Sequence, residues 1–403
     1  MTKLWQTAAD LNDLVEAYTV GNDYVFDTML LPYDIEGTLA HVDMLAKIGV
    51  LEQPEYKRVA EALQGINTLY QKGEFQVTRE QEDSHTAIEQ YITEKLGDTG
   101  KKIHTGRSRN DQALVMMRLY MKAVLAKLDG QLQGLVETFD NKAQKTENIP
   151  MPGHTHMQKA MPTTVGTWLG AYRDAFADLA PAVQATAVLV DQNPLGSAAG
   201  FGVIGLKLDR EYTTDKLGFS KTQQNPIYCG LSRGYFELAV LQMCELIMTL
   251  SGRFARDMLL FTTQEFDYFS LPPEFTTGSS IMPNKRNYDV FEVMRGNAEL
   301  SRGYCAQVQA IIGGIGSGYQ RDLALTKAPF IRGAELTKDT LDVLLNVIPE
   351  LKVHKAKLKA AMTDDLYATE KVYKLVGRGV PFRDAYNQVK RQLFREEDQD
   401  GQD

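Results

Sequence analysis

Ser279, Lys285 and Asn287 fall together in the stretch TTGSSIMPNKRN, residues 276–287. A hydroxyl, a cation and an amide on a Gly/Ser-rich connection can act together on a proton. Serine is a weak base at neutral pH unless its alkoxide is stabilised, and Lys285 with nearby backbone N–H groups can supply that. Gly278 frees the backbone, and a mobile loop closing over a substrate excludes water and strengthens those charges. Asp289 and Glu292 follow with the Asp-x-x-Glu spacing of a helix cap, so Glu292 reads equally as a helix start.

Two other connections hold unusual residues. In KKIHTGRSRNDQ, residues 101–112, Arg107 and Arg109 put positive charge at a helix start. Free backbone N–H groups there also favour an anion. Ser108 to Asp111 fits a capping box as well, and both readings stand. In MPGHTHMQKAMP, residues 151–162, His154 and His156 lie between Pro152 and Pro162. With no third ligand nearby and no HExxH pattern, no metal is expected. A single His acting as acid or base and a hydrogen-bonded loop His remain open. No G-x-S-x-G elbow, Walker loop or Rossmann glycine pattern occurs. The residue set suits proton removal beside a carboxylate held by positive groups, with loss of a leaving group and without metal or cofactor.

Helical period dominates the elements that must position these stretches. Long helices are predicted at about 111–148, 163–191 (bent at Pro181), 231–264, 289–312 and 328–351. The first carries Leu114, Met117, Met121, Val124, Leu125, Leu128, Leu132, Leu135, Val136 and Phe139, mostly three and four apart, which is one helix face. At 1.5 Å per residue it spans roughly 50 Å before Pro150 and Pro152 stop it. Such helices carry more apolar surface than a small bundle needs, so burial against other subunits is expected. Before about residue 100, shorter helices are broken by LLPYD and KGEFQVT. The expectation is an all-α chain in three segments: 1–100, a central long-helix bundle at 101–349, and a small helical 350–403 ending in the acidic tail REEDQDGQD.

Composition narrows the class. Hydrophobic residues are 43% and charged residues 24% of 403, ordinary for a soluble globular protein. A net charge of −8 argues against nonspecific binding to nucleic acid or anionic membrane. Cys229, Cys244 and Cys305 have no metal spacing, and an odd count suits a reducing compartment. The opening MTKLWQTAADLNDLVEAY lacks the apolar core of a signal peptide. No apolar run is read as long enough to span a bilayer. A cytoplasmic enzyme or scaffold is the expectation.

GSSIMPNKRN resembles the signature loop of the fumarase/aspartase superfamily, Gly-Ser-Ser-x-Met-Pro-x-Lys-x-Asn. KKIHTGRSRNDQ, GHTHMQKAMPTTVG, NPLGSAAG, TQEF, DIEGTLAH and GVPFRDAY are similar to the argininosuccinate lyase branch, in family order over about residues 4–390. The resemblance implies a central helix bundle from a homotetramer, active sites built from three subunits, and β-elimination releasing fumarate, with arginine as the other product. It implies Ser279 as the base for the Cβ proton, with Lys285 and Asn287 on the carboxylate where charge develops. Ser108, Arg109, Asn110 and Thr155 would bind the fumarate portion. His156, paired with Glu292, would assist proton transfer to the departing nitrogen or orient the groups that do. His85 matches a position near the site, Asp27 a carboxylate facing the guanidinium end, and Tyr319 and Lys327 residues that hold the arginine moiety.

The chain also departs from the branch. Ala324 stands where the motif Tyr-x-x-Asp-Leu-Gln-x-x-Lys has Gln, and Asp23 where the family has Ser. Tyr288 replaces a usual Pro, Asn284 a common Gln, and the C-terminal region is shorter than usual. Asp23 and Ala324 lie, by resemblance, around the amino-acid end of the arginine moiety. They motivate an alternative: the same elimination on a modified argininosuccinate, such as one acylated at the α-amino group, or on another succino-conjugate such as adenylosuccinate. A helical scaffold without catalysis is the third reading, and the intact Ser279, Lys285, Asn287, His156 and Glu292 oppose it.

Overall fold

The computed structural model describes residues 12–400, with side chains to 393. Most of the opening stretch and the side chains of the acidic tail lie outside the described residues. Regular structure among the described residues is helical apart from three two-stranded ladders.

Four of the five long helices form close to where the apolar spacing puts them: Arg109–Lys145, Tyr235–Phe261, Asp289–Gly313 and Lys327–Glu350. The stripe on the first is buried, with Val124, Leu128, Leu132 and Phe139 at 1% exposure or less. Each such side chain contributes about 1.5–3 kcal/mol when fully withdrawn from water.

Three local expectations need correction. Residues 163–191 are not one bent helix but two, Val165–Ala177 and Ala180–Val190. Pro181 cannot donate to a preceding carbonyl, so the chain restarts with Pro in its first turn. LLPYD does not break the N-terminal region, because Asp23–Lys47 runs straight through Pro32. Burial of Leu30, Leu31 and Ile35 around it outweighs the local cost. Residues 151–162, read as a connection between helices, belong to an antiparallel hairpin that pairs Pro150–Thr155 with Gln158–Thr164. A further difference concerns Tyr235–Phe261, which by length and composition alone could cross a bilayer. Half of its most apolar window is buried within the chain, and the helix carries Asp257, which accepts from Trp168 Nε1 at 3.0 Å and Tyr172 Oη at 2.7 Å. This is how a core helix behaves.

The chain forms two compact units; four of the five boundaries fall inside long helices and the fifth between Ala177 and Ala180. Among the described residues, one comprises 12–130, 179–248 and 299–338; the other comprises 131–178, 249–298 and 339–400. The first has an aliphatic core of Leu31, Val42, Leu45, Val59, Ile66, Ile88 and Ile92. A second cluster there joins Val115 and Leu119 to Leu195, Leu217 and Phe219. The second unit is held by aromatic packing: Phe139 meets Phe176 at 5.8 Å and Phe254 at 5.4 Å, and Trp168 stacks on Phe269 at 5.1 Å. Its C-terminal helices close a smaller core around Val372, Ala385 and Val389. The cysteines are free and buried.

Candidate active site

The first unit holds a cavity of about 480 Å³ lined by side chains from several sequence regions. Asp23 and Asp27 come from the first turns of Asp23–Lys47. Asp83 and His85 flank the start of Ser84–Leu96, and Arg107, Ser108, Arg109 and Asn110 the start of Arg109–Lys145. Tyr319, Arg321, Ala324 and Lys327 come from the approach to Lys327–Glu350.

Local chemistry fixes each group. Asp83 caps its helix: its Oδ1 accepts from the Thr86 N–H and hydroxyl, both at 2.8 Å. Its Oδ2 accepts from Arg109 Nε at 2.7 Å, so one carboxylate starts a helix and aims an arginine. Glu82, just before it, sits at φ +67°, unusual for a side-chain-bearing residue, and accepts from Arg109 Nη2 at 3.1 Å. The Ser84 N–H donates to Asp27 at 3.0 Å. Ser84 Oγ and His85 Nδ1 both reach Asp34 Oδ2 at 2.7 Å. The expected cap at Ser108 is made: its N–H donates to Asp111 at 2.8 Å, and its Oγ accepts from the Asn110 N–H at 3.3 Å. Asp111 also accepts from the Gly196 and Ala198 N–H groups, tying NPLGSAAG to the same turn. Ser108 therefore both caps a helix and lines the cavity.

The cavity is densely charged. Lys327 is 4% exposed and hydrogen-bonds Asp27, with Asp23 at 3.1 Å. Burial opposes its charge, but Asp27 and Asp23 prevail and raise its pKa. His85 follows the same pattern: burial favours the neutral ring, and Asp34, Asp83 and Asp27 reverse that and raise its pKa. Asp34 and Asp83 are held below the usual carboxylate value, burial being outweighed by His85 and by Arg107 or Arg109 respectively. Arg107 donates to Thr38 Oγ1 at 2.9 Å, while its Nε and Nη2 are buried without a partner. Arg233 lies over the Tyr319 ring at 4.9 Å.

The second unit carries the other candidates on exposed segments. Thr155 ends one strand of the hairpin, and His156 and Met157 form its two-residue turn at φ +53° and +64°. That turn normally takes Asn-Gly, and left-handed backbone costs other residues about 1–2 kcal/mol each. The two histidines have parted: His154 packs between Phe261 and Phe266, and His156 is exposed. In the Gly/Ser stretch, Thr277 and Asn287 exchange backbone hydrogen bonds of 3.0 and 2.8 Å, which closes 278–286 into a loop. Asn287 Nδ2 donates to the Gly278 carbonyl at 3.3 Å. Ser279 Oγ accepts from the N–H groups of Ile281 at 3.3 Å and Met282 at 3.0 Å. Lys285 is exposed, as is Glu292 in the first turn of its helix.

Of the residues singled out in the sequence, Asp27, His85, Ser108, Arg109, Asn110, Tyr319 and Lys327 thus line one cavity. Thr155, His156, Ser279, Lys285, Asn287 and Glu292 belong to the other unit. The His156–Glu292 pair makes no hydrogen bond or ion pair among the described residues. Asp34, Asp83 and Arg233 were not singled out as site residues, and Arg107 only for its charge at a helix start. Asp23, Asp27 and Asp34, spaced four and seven apart, share one helix face; three carboxylates on such a face were the available signal.

Architecture and loop together define a class. Fold likeness extends to EDDS lyase in complex with formate, with a TM-score of 0.82 at 24% identity over 98% of this chain and 78% of that one. It extends also to the class II fumarase of Schistosoma mansoni, with a TM-score of 0.74 at 17% identity over 93% and 91%. The fold is the helical one of the fumarase/aspartase superfamily, and a family model described as Lyase matches residues 12–303. The argininosuccinate lyase of Thermotoga neapolitana is 40% identical over 98% of this chain and 99% of its own length. The chain belongs to the argininosuccinate lyase family, carbon–nitrogen lyases of that superfamily.

Proposed function

We infer that this protein cleaves argininosuccinate to arginine and fumarate by β-elimination, a step of arginine biosynthesis. The observation that carries the mechanism is the Ser279 hydroxyl, whose oxygen accepts two backbone N–H groups. An alkoxide at that oxygen would keep both donors, so the serine is prepared to be a base. Ser279 takes the Cβ proton beside a carboxylate, and the electron pair develops as a doubly charged aci-carboxylate. Lys285 and Asn287 stabilise that charge. The C–N bond to the guanidino nitrogen then breaks, fumarate forms, and the nitrogen leaves protonated, assisted by His156 with Glu292. Ser108, Arg109, Asn110 and Thr155 hold the fumarate portion. Asp27, Tyr319 and Lys327 hold the arginine portion, and His85 keeps the carboxylates around it in register.

The exposed loop and hairpin suit a site completed by other copies of the chain, so we read the enzyme as a homotetramer with sites shared between subunits, acting in the cytoplasm. The division at about residues 100 and 349 remains our proposal for its domains. Mixing the purified protein with argininosuccinate should yield arginine and fumarate in equal amounts, followed by proton NMR. No release of either product would overturn the assignment.

A further inference from the structure

Outside the residues assigned to the elimination, the second unit holds three side chains in an order suited to acyl transfer. Phe269–Ser270 pairs with Lys352–Val353 in a short antiparallel ladder, which sets Ser270 beside His354. The Ser270 hydroxyl oxygen lies 2.8 Å from His354 Nε2. On the other side of the ring, Nδ1 lies 2.9 Å from the Asp267 backbone carbonyl and 2.9 Å from its carboxylate Oδ1. A carbonyl and an ionised carboxylate only accept, so Nδ1 carries the ring hydrogen. In the neutral imidazole Nε2 is then a bare lone pair, and the Ser270 hydroxyl donates to it. The other Asp267 oxygen is held by Lys357 at 3.3 Å. Backbone geometry keeps the set in place. Asp267 has φ +46°, a region that disfavours a side-chain-bearing residue, and there its carbonyl and carboxylate meet the same nitrogen. The His354 N–H donates to the Tyr268 carbonyl at 2.9 Å. His354 precedes the helix Lys355–Ala360, but its side chain makes no capping bond, so helix capping does not explain where the ring sits.

We propose that Ser270, His354 and Asp267 form a second reactive site, at which Ser270 is acylated by small activated esters. Ser270 Oγ attacks the ester carbonyl carbon, and its proton passes to His354 Nε2. The bond from the acyl carbon to the alcohol oxygen breaks, and the departing alcohol takes that proton. Water then cleaves the acyl-serine by the same route, restoring the serine and releasing the acid. Asp267 holds the ring in the tautomer this step needs and faces the imidazolium that forms. The His354 and Asp267 side chains are 32% and 38% exposed. A small ester therefore reaches them from solvent, and water weakens the charges that assist the step. That limits the substrate class to esters with a good leaving group, such as aryl esters. Acylation of Ser270 needs none of the groups placed in the elimination.

The test is incubation of the folded protein with p-nitrophenyl acetate, with the acetylated residues mapped by peptide mass spectrometry. Wild type should carry acetyl on Ser270 and acquire it about a hundredfold faster than His354→Gln, the size of one general base. Asp267→Asn should slow it only about tenfold, because the backbone carbonyl still holds the Nδ1 hydrogen. Acetyl groups on Ser279 or on lysines, with Ser270 unmodified in the wild type, overturn the proposal, and that result needs no variant to fold. Equal rates at Ser270 in the wild type and in a folded His354→Gln protein overturn it too, since the three side chains then only tie the ladder together.

Discussion

The cavity of the first unit and the Gly/Ser loop of the second treat their polar groups in opposite ways. In and around the cavity, three buried carboxylates are closed into pairs: Asp27 with Lys327, Asp34 with His85, Asp83 with Arg109. In the loop, Lys285 and Arg286 are exposed, and the ordering comes from backbone hydrogen bonds between Thr277 and Asn287. The hairpin turn adds two residues in left-handed backbone. On the proposed mechanism, recognition is preorganised at a cost in desolvation, whereas the reacting groups sit where backbone, not core packing, holds them. Mutations should therefore separate: cavity changes cost stability, and loop changes cost rate.

The largest stability effect is expected at Asp27→Ala. It removes the principal counter-charge of a buried lysine, and breaking such a pair costs about 3 kcal/mol. Urea unfolding monitored by circular dichroism should show the midpoint fall with little change in slope. If the midpoint stays put, the ion pair is not holding the first unit together.

Lys285→Met is its counterpart. It should lower kcat by about 10²–10³ and leave the unfolding midpoint where it was. A comparable loss of stability would erase the contrast between the regions.

pH should sharpen the comparison. His85 has a raised pKa in the fold, so its contribution is complete below the ordinary imidazole value of 6.5 and disappears as pH climbs through the raised value. Asp34 and Asp83 have lowered values, so theirs is complete above the ordinary 3.8 and lost as pH falls through the depressed ones. Stability should therefore be greatest between these limits, because there the folded state holds all three groups in the charged forms it prefers. Melting temperature against pH for wild type and His85→Gln tests this, since the variant should lose the alkaline decline. An identical alkaline limb in both proteins would assign that decline to another group.

The smallest effect concerns the hairpin. Met157 is 69% exposed and sits at φ +64°, so Met157→Gly relieves backbone strain and gives up little burial. A gain of about 0.5 kcal/mol is expected after the greater chain entropy of glycine is subtracted. A loss would mean the turn is not strained.

Much of this contrast was legible in the sequence, but unevenly. Long helices announced themselves because a buried stripe must recur every three or four residues. The three chemistry-bearing connections stood out through Gly, Pro and charge between such helices. What stayed hidden was pairing across distance: Asp27 and Lys327 are 300 positions apart, and nothing local to either names the other. Asp34 ends LLPYD, which reads in the sequence as a break between helices, and only the fold puts His85 against it. The hairpin escaped because Pro150, Pro152 and Pro162 argue against strands, and a short edge ladder tolerates them. His156 and Glu292, a pair by resemblance, share no hydrogen bond or ion pair among the described residues, and periodicity and spacing do not encode such a relation.

On this mechanism a hydroxyl cradled by two amides removes the proton, and Ser279→Ala tests that most directly. Fumarate formation from argininosuccinate, followed by its ultraviolet absorbance, should slow about a thousandfold in a variant that melts at the wild-type temperature. A folded Ser279→Ala protein that releases fumarate at close to the wild-type rate would contradict it.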